Sequence, residues 1–285
     1  MKRLTSHGSA GTSSFRPASA SRGRAGFTLI EMLVAFAVGS LLLVALTSIV
    51  SQSMAVSRKT NSLLLSNNAA SAAVDLVSTD LESLSVTGKP YEYLRVTKED
   101  VDGVTDVARV LMLTASGSDA ASADDYGQSR AISYRLINQD PINPGGSRNI
   151  YGLYRSVVSA EDTFSDFAGQ TNLETPFDAL PPSLDDFVVG NVIDFQVRVF
   201  ADGNQSPANV AGLQSQPVRI SGNSTQINGT SYTGAPLTWA EVTLTVLEDR
   251  DNAVERLESG SLTLEDARTQ YGFRLSRRVA IRTPL

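Results

Sequence analysis

Three residues near the start of the chain mark an abrupt change in composition and an isolated charge. Gly26 and Phe27 separate a basic, polar leader from an apolar run, and Glu31 is the single charged residue within 27–50. A carboxylate at the centre of a membrane span costs roughly 2.5–3.5 kcal/mol on insertion scales, and less near an end. Such a group is kept for a partner of opposite charge, so Glu31 is a candidate interaction residue.

The residue types that most enzymes use are scarce in this chain. There is no cysteine, and the only histidine is His7 in the leader. A mature Ser-His-Asp triad, a thiol nucleophile and a His or Cys metal site are therefore excluded. We predict that the protein is not an enzyme and binds no cofactor.

One acidic stretch is a weak candidate for calcium. Asp100, Asp102 and Asp106 surround Gly103, and calcium prefers carboxylate and carbonyl oxygens. The stretch lacks the twelve-residue EF-hand loop and its closing glutamate. Because acidic turns are common on an acidic domain, we favour a solvated turn over a metal site.

The apolar run and the leader predict a membrane topology. Residues 27–50 are long and apolar enough for one membrane-spanning segment. The leader, 1–26, holds five of the 24 Lys and Arg and none of the 30 Asp and Glu. The positive-inside rule then predicts a cytoplasmic N-terminus, a span in the inner membrane and an extracytoplasmic head. Removal of the leader shifts the formal charge from −6 to −11, which argues against nucleic acid as a partner.

A long helix is predicted to follow the junction. No proline occurs between Pro17 and Pro90, and an apolar stripe at i, i+3, i+7 and i+10 comprises Val74, Val77, Leu81 and Leu84. The stretch 87–90 (TGKP) is a helix stop. We predict one helix from about Phe27 to Val86, with a membrane half at 27–50 and an amphipathic half within 51–88.

The remainder, 89–285, is predicted to be a globular head rich in strands. Short runs of strand-like residues are 107–114, 131–137, 150–157, 189–200, 237–248 and 277–282. The polar stretch 201–234 is predicted to be a surface loop or partly disordered, and 115–129 is interpreted in the same way. The fold class is α+β, with antiparallel strands covering the second half of the helix.

Aromatic and basic residues of the head also have structural interpretations. Trp239, near Tyr232, is predicted to be a core residue rather than a ligand platform. Arg135 and Arg155, each beside a tyrosine, are predicted to form salt bridges at sheet edges.

The N-terminal residues resemble the signature of type IV prepilins and type II secretion pseudopilins. The resemblance is carried by Gly26, Phe27, Glu31 and the apolar residues of 28–35 (TLIEMLVA). It implies a pilin-like fold, cleavage between Gly26 and Phe27 by a prepilin peptidase, and N-methylation of the Phe27 amine. It also implies that Glu31 meets the N-terminal amine of a neighbouring subunit during filament assembly. The alternative is an anchor helix whose Glu31 only reaches the lipid headgroups.

The head is similar to the J-type minor pseudopilins and the W-type minor pilins. The segments that carry this likeness are 132–136 (ISYRL), 152–157 (GLYRSV), 191–200 (NVIDFQVRVF) and 237–246 (LTWAEVTLTV). The resemblance implies a minor structural subunit at the tip of an envelope-spanning filament, with other pseudopilins or minor pilins as partners. A membrane-anchored extracytoplasmic binding module that does not assemble is the competing hypothesis.

Overall fold

The computed structural model describes most of the helix and the head. The described residues are 26–85, 91–115, 129–142, 150–180, 183–201, 218–222, 224–227, 230–233, 237–248 and 252–281. The chain divides into two compact units, Met1–Ala55 and Val56–Leu285.

Helix α1 spans Leu29–Glu82 and contributes residues to both units. In the first unit, every described residue is exposed. Within the described part of the chain, α1 is the one helix long and apolar enough to cross a membrane.

In the second unit, α1 buries one face. Ala70, Ala73, Val74, Val77 and Leu81 are all at most 4% exposed. The predicted stripe is therefore confirmed over its helical part, because side chains at i, i+3 and i+7 lie on the same face of a helix.

The end of α1 differs from the prediction. The helix ends at Glu82 rather than near Val86, and Leu84 forms an isolated antiparallel bridge with Thr114. Ser85 N donates to Leu113 O at 2.8 Å, and Ala115 N donates to Ser83 O at 2.7 Å. These strand-type bonds use backbone groups that another helical turn would need. The predicted stop at 87–90 lies outside the described residues.

Eleven strands form two antiparallel sheets in the described part of the chain. They are β1 Glu92–Val101, β2 Val104–Thr114, β3 Arg130–Gln139, β4 Ile150–Val157, β5 Phe187–Gly190, β6 Val192–Ala201, β7 Val218–Ser221, β8 Ser224–Ile227, β9 Thr230–Thr233, β10 Leu237–Leu247 and β11 Gly272–Ala280. The large sheet has the order β5-β4-β3-β2-β1-β7-β8-β9, and the small sheet has the order β11-β10-β6. The α+β class, with a long N-terminal helix and antiparallel sheets, is confirmed.

The large sheet is covered on both faces near β2. On one face, Val96, Val110 and Tyr134 are cross-strand neighbours, and the Tyr134 hydroxyl contacts Asp80 of α1. On the other face, Arg109 pairs with Asp178 at 2.7 Å, in a segment that crosses over the sheet. Residues 107–113 are consequently all buried, which explains why this strand is apolar on both faces apart from Arg109 and shows no alternation.

The crossing segment and the β10–β11 connection contain short helices. They are α2 Ala160–Asp162, a π-helical turn Thr163–Phe167, α3 Glu174–Asp178, a 3-10 turn Leu184–Asp186, α4 Ala253–Glu258 and α5 Leu264–Tyr271. Helices α4 and α5 pack in a second small core with Ile193 and Leu247. This core closes one end of the small sheet.

The strand predictions need several corrections, including the last strand, which spans Gly272–Ala280 rather than 277–282. The run 189–200 is not one strand: Asn191, with a φ of 58°, separates β5 of the large sheet from β6 of the small sheet. Strand β1 was not predicted from the sequence. The stretch 201–234 holds β7, β8 and β9 rather than a loop throughout, and Val218 and Ile220 are buried. The rest of that stretch, and 116–128, lie outside the described residues.

Candidate functional site

Helix α1 begins shortly after the predicted cleavage junction. Gly26, Phe27 and Thr28 are not helical, and α1 begins at Leu29. Thr28 therefore occupies the N-cap position, and Glu31 is the third helical residue.

Thr28 and Glu31 form a reciprocal capping box. The Thr28 amide donates to Glu31 Oε2 at 2.9 Å, and the Glu31 amide donates to Thr28 Oγ1 at 3.3 Å. The Thr28 hydroxyl also donates to Glu31 Oε2 at 3.0 Å. Two of the amides that a helix start leaves unpaired are thus satisfied by side chains. The T-x-x-E spacing is the sequence signal for this capping box, and Thr28 was not among the predicted site residues.

Glu31 nevertheless remains open to a second contact. Its side chain is exposed, and both of its bonds use Oε2; no described residue hydrogen-bonds to Oε1. The negative charge at the first turn also complements the partial positive charge of the helix N-terminus. A cation that approaches Oε1 would find a fixed, pre-oriented carboxylate.

The described structure does not itself require a glycine at position 26. A Cβ added to Gly26 would meet no described atom within 4 Å, and its φ lies outside the left-handed region. The described residues therefore give no steric reason for glycine at this position.

The acidic stretch of the head is the turn of a hairpin. Asp102 and Gly103 connect β1 to β2 with φ angles of 43° and 93°. The Asp106 amide donates to Asp100 Oδ1 at 2.9 Å, and Lys98 Nζ lies 2.8 Å from Asp106 Oδ1. No group of three or more His, Asp or Glu side chains in the described residues is placed to hold a metal ion. The described geometry is an exposed hairpin turn with an ion pair between Lys98 and Asp106.

The two arginines beside tyrosines do form ion pairs, but not at sheet edges. Arg135 Nε lies 2.9 Å from Glu99 Oε2, and Arg155 Nε lies 2.8 Å from Asp80 Oδ2. Their strands, β3 and β4, are interior strands of the large sheet. The predicted salt bridges are therefore right, and the predicted edge position is wrong.

Trp239 is half-buried rather than a full core residue. Its ring stacks on Phe200 with centroids 3.4 Å apart and planes 11° apart. The guanidinium carbon of Arg278 lies 4.7 Å from the Trp239 ring centroid, which is within cation–π range. The side chain of Tyr232 lies outside the described residues.

Comparison with known proteins gives a match at the N-terminus. Residues 21–47 match the family model described as the prokaryotic N-terminal methylation motif. The match includes Gly26, Phe27, Thr28 and Glu31, so the chain carries this motif. No curated protein matches the chain.

Among solved structures, a type IV-like pilin from Thermus thermophilus is similar. The two chains are 12% identical, with a TM-score of 0.38, and the alignment covers 75% of this chain and 95% of the pilin.

Proposed function

We propose that this protein is a minor pilin or pseudopilin, a structural subunit of a filament that spans the cell envelope. The observation that carries the proposal is the methylation motif at 21–47, whose junction directly precedes a capped apolar helix with a single carboxylate. Segment α1 is the membrane anchor before assembly and the filament-forming helix afterwards.

The proposed maturation follows from the resemblance to prepilins. A prepilin peptidase at the cytoplasmic face of the inner membrane cuts between Gly26 and Phe27 and methylates the new Phe27 amine. That amine is a cation at a helix N-terminus, where the helix dipole disfavours positive charge. A carboxylate from a neighbouring Glu31 offsets this cost, because opposite buried charges stabilise each other only when they are paired.

The proposed subtype is a J-type minor pseudopilin or a W-type minor pilin at the filament tip. The support is the likeness of four strand segments of the head and the size of the second unit, Val56–Leu285. Every repeated subunit must fit the spacing of its neighbours, whereas a subunit at the tip has nothing stacked above it. The acidic head argues against DNA as a ligand.

Intact-mass analysis after co-expression with a bacterial prepilin peptidase tests the proposal. The expected product begins with N-methylated Phe27, and Gly26→Val should accumulate as the uncut precursor. Gly39→Val is the matched control, because a Cβ there also meets no described atom within 4 Å. A mature chain that begins at Met1 or near Ser53 would contradict the proposal, and retention of Met1 would favour the membrane-anchored binding module.

A further inference from the structure

The small sheet ends in a long strand with a free edge. Strand β11 pairs with β10 along nine consecutive residues, and no described strand pairs with its other side. The unpaired N–H and C=O groups of such an edge are a template for an added strand.

The register shows which residues of β11 direct their backbone N–H and C=O groups away from β10, toward the free edge. Ile281 N donates to Thr238 O at 3.0 Å, and Ala280 is opposite Trp239. In an antiparallel pair, hydrogen-bonded positions alternate along each strand. The odd-numbered residues of β11 therefore bond to β10, whereas the backbone groups of Arg274, Ser276, Arg278 and Ala280 point to the free edge.

These outward positions carry an excess of positive charge. The four side chains share one face of the sheet and are all exposed. Arg274 has no ion pair with any described residue, and Arg278 shares Glu241 with Arg198 at 3.7 and 3.8 Å. This local charge contrasts with the formal charge of −6 for the whole chain.

The neighbouring arginine is engaged elsewhere. Arg277 points to the opposite face and pairs with Asp75 of α1, so β11 is fastened to the helix without use of its outer edge.

We propose that the free edge of β11 binds an extended acidic segment of another protein chain by strand addition. Backbone bonds to the outward groups hold the segment, and acidic side chains opposite Arg274 and Arg278 give selectivity, because opposite charges on directly facing strand positions stabilise each other. A second copy of β11 is a poor occupant. Antiparallel pairing of two copies centred on Ser276 would place Arg274 of one copy against Arg278 of the other, and like charges there are destabilising.

Peptide binding to the full-length chain in detergent micelles tests this proposal. The probe is a fluorescent peptide of the length of β11 in which glutamate alternates with threonine and valine, and the control peptide has lysine in place of glutamate. Fluorescence anisotropy should show saturable binding of the acidic peptide only. Hydrogen exchange should slow at the Arg274, Ser276 and Arg278 amides when the acidic peptide is bound.

Two matched substitutions separate edge pairing from simple charge attraction. Ser276→Pro removes an outward N–H without removing a bond to β10, and Ser276→Ala removes only the hydroxyl. We expect about a tenfold or greater loss of affinity for the proline variant and parental affinity for the alanine variant. Arg274→Glu should weaken binding of the acidic peptide and strengthen binding of the lysine peptide.

Three results would overturn the proposal. One is parental affinity in a Ser276→Pro variant that melts at the parental temperature. The second is equal binding of the two peptides by the parent chain. The third is exchange protection on the parent that lies outside β11, a readout that stands even where the proline variant does not fold. None of these results depends on cleavage at Gly26, so the proposal can fail independently of the pilin assignment.

Discussion

The Tyr134 hydroxyl donates to the Asp80 carboxylate across 2.5 Å, which ties the last turns of α1 to the third strand of the large sheet. Arg155 completes this cluster with bonds of 2.8 Å to Oδ2 and 3.1 Å to Oδ1 of Asp80. Burial, together with the negative charge of Asp80, raises the pKa of Tyr134, so its hydroxyl stays a donor at neutral pH. The three side chains form a paired, hydrogen-bonded unit beneath the helix.

Asp80→Asn should destabilise the protein strongly, because the Arg155 cation would remain buried without a counter-charge. We expect a loss of about 3 kcal/mol in the free energy of unfolding, the lower end for a broken buried pair. Asp75→Asn is the matched control, since the Asp75–Arg277 pair is exposed and should contribute less than about 1 kcal/mol. Urea unfolding of both variants measures the difference, and equal losses would contradict a special role for the buried cluster.

A chain that lacks residues 1–50 should be soluble and folded. The buried part of α1 begins at Ala70, within the compact unit Val56–Leu285, and the described residues among those removed, 26–50, are all exposed. Circular dichroism should show mixed helix and strand, with a cooperative thermal transition. Aggregation, or a random-coil spectrum, would show that the head depends on the removed segment.

Glu31→Gln should separate processing from assembly. Glutamine keeps an oxygen for the capping box with Thr28 but removes the negative charge. Insertion and cleavage should stay near parental levels, because loss of a charge makes the span easier to place in lipid. Crosslinking to partner pilins should fall at least tenfold, since an unpaired buried amine costs roughly 3–5 kcal/mol. Parental crosslinking yields would mean that Glu31 only caps the helix.

Alkaline pH should reveal the burial of Tyr93. Burial raises the pKa of Tyr93 to about 12, above the ordinary value of about 10. Between pH 10 and pH 12 the folded state keeps the phenolic proton and the unfolded state loses it. The free energy of unfolding is therefore unaffected below pH 10 and falls as the pH rises from 10 to 12. Over this pH range, the free energy of unfolding of Tyr93→Phe should fall by about 1–2 kcal/mol less than that of the parent. Parallel curves from urea titrations at pH 8 to 12 would contradict this assignment.

The sequence predicted the long helix and the positions of most strands because their periodicities are strong. Val74, Val77 and Leu81 repeat at helical spacing, and 150–157 matches β4 at both ends. The buried face of α1 could thus be predicted from the spacing of apolar residues alone.

The missed features depend on partners that are distant in sequence. Strand β7 is only four residues long and lies within a polar stretch, and its Val218 and Ile220 become core residues because β7 pairs with β1. The division of 189–200 at Asn191 depends on which sheet each half joins, and no local propensity encodes that choice. Both corrections arise from tertiary strand pairing and not from a misread hydrophobic periodicity.

At the candidate site, the residue types could be identified from the sequence, but the hydrogen bonds between them were not predicted. Gly26, Phe27 and Glu31 were identified by type and spacing, and their roles in cleavage, methylation and assembly remain predictions. The capping box adds Thr28, and it shows that Glu31 has a structural task in the isolated chain in addition to its predicted partner.

The short bridge between Leu84 and Thr114 also has a mechanical meaning. A force that pulls on the second half of α1 meets the two strand-type bonds at Ser83–Ser85 close to where the helix ends. One bond goes to Leu113 of β2 and the other comes from Ala115, the residue after β2, so tension is passed to a strand that is buried on both faces. The head can therefore carry load applied through its helix without first breaking the pairing of its edge strands.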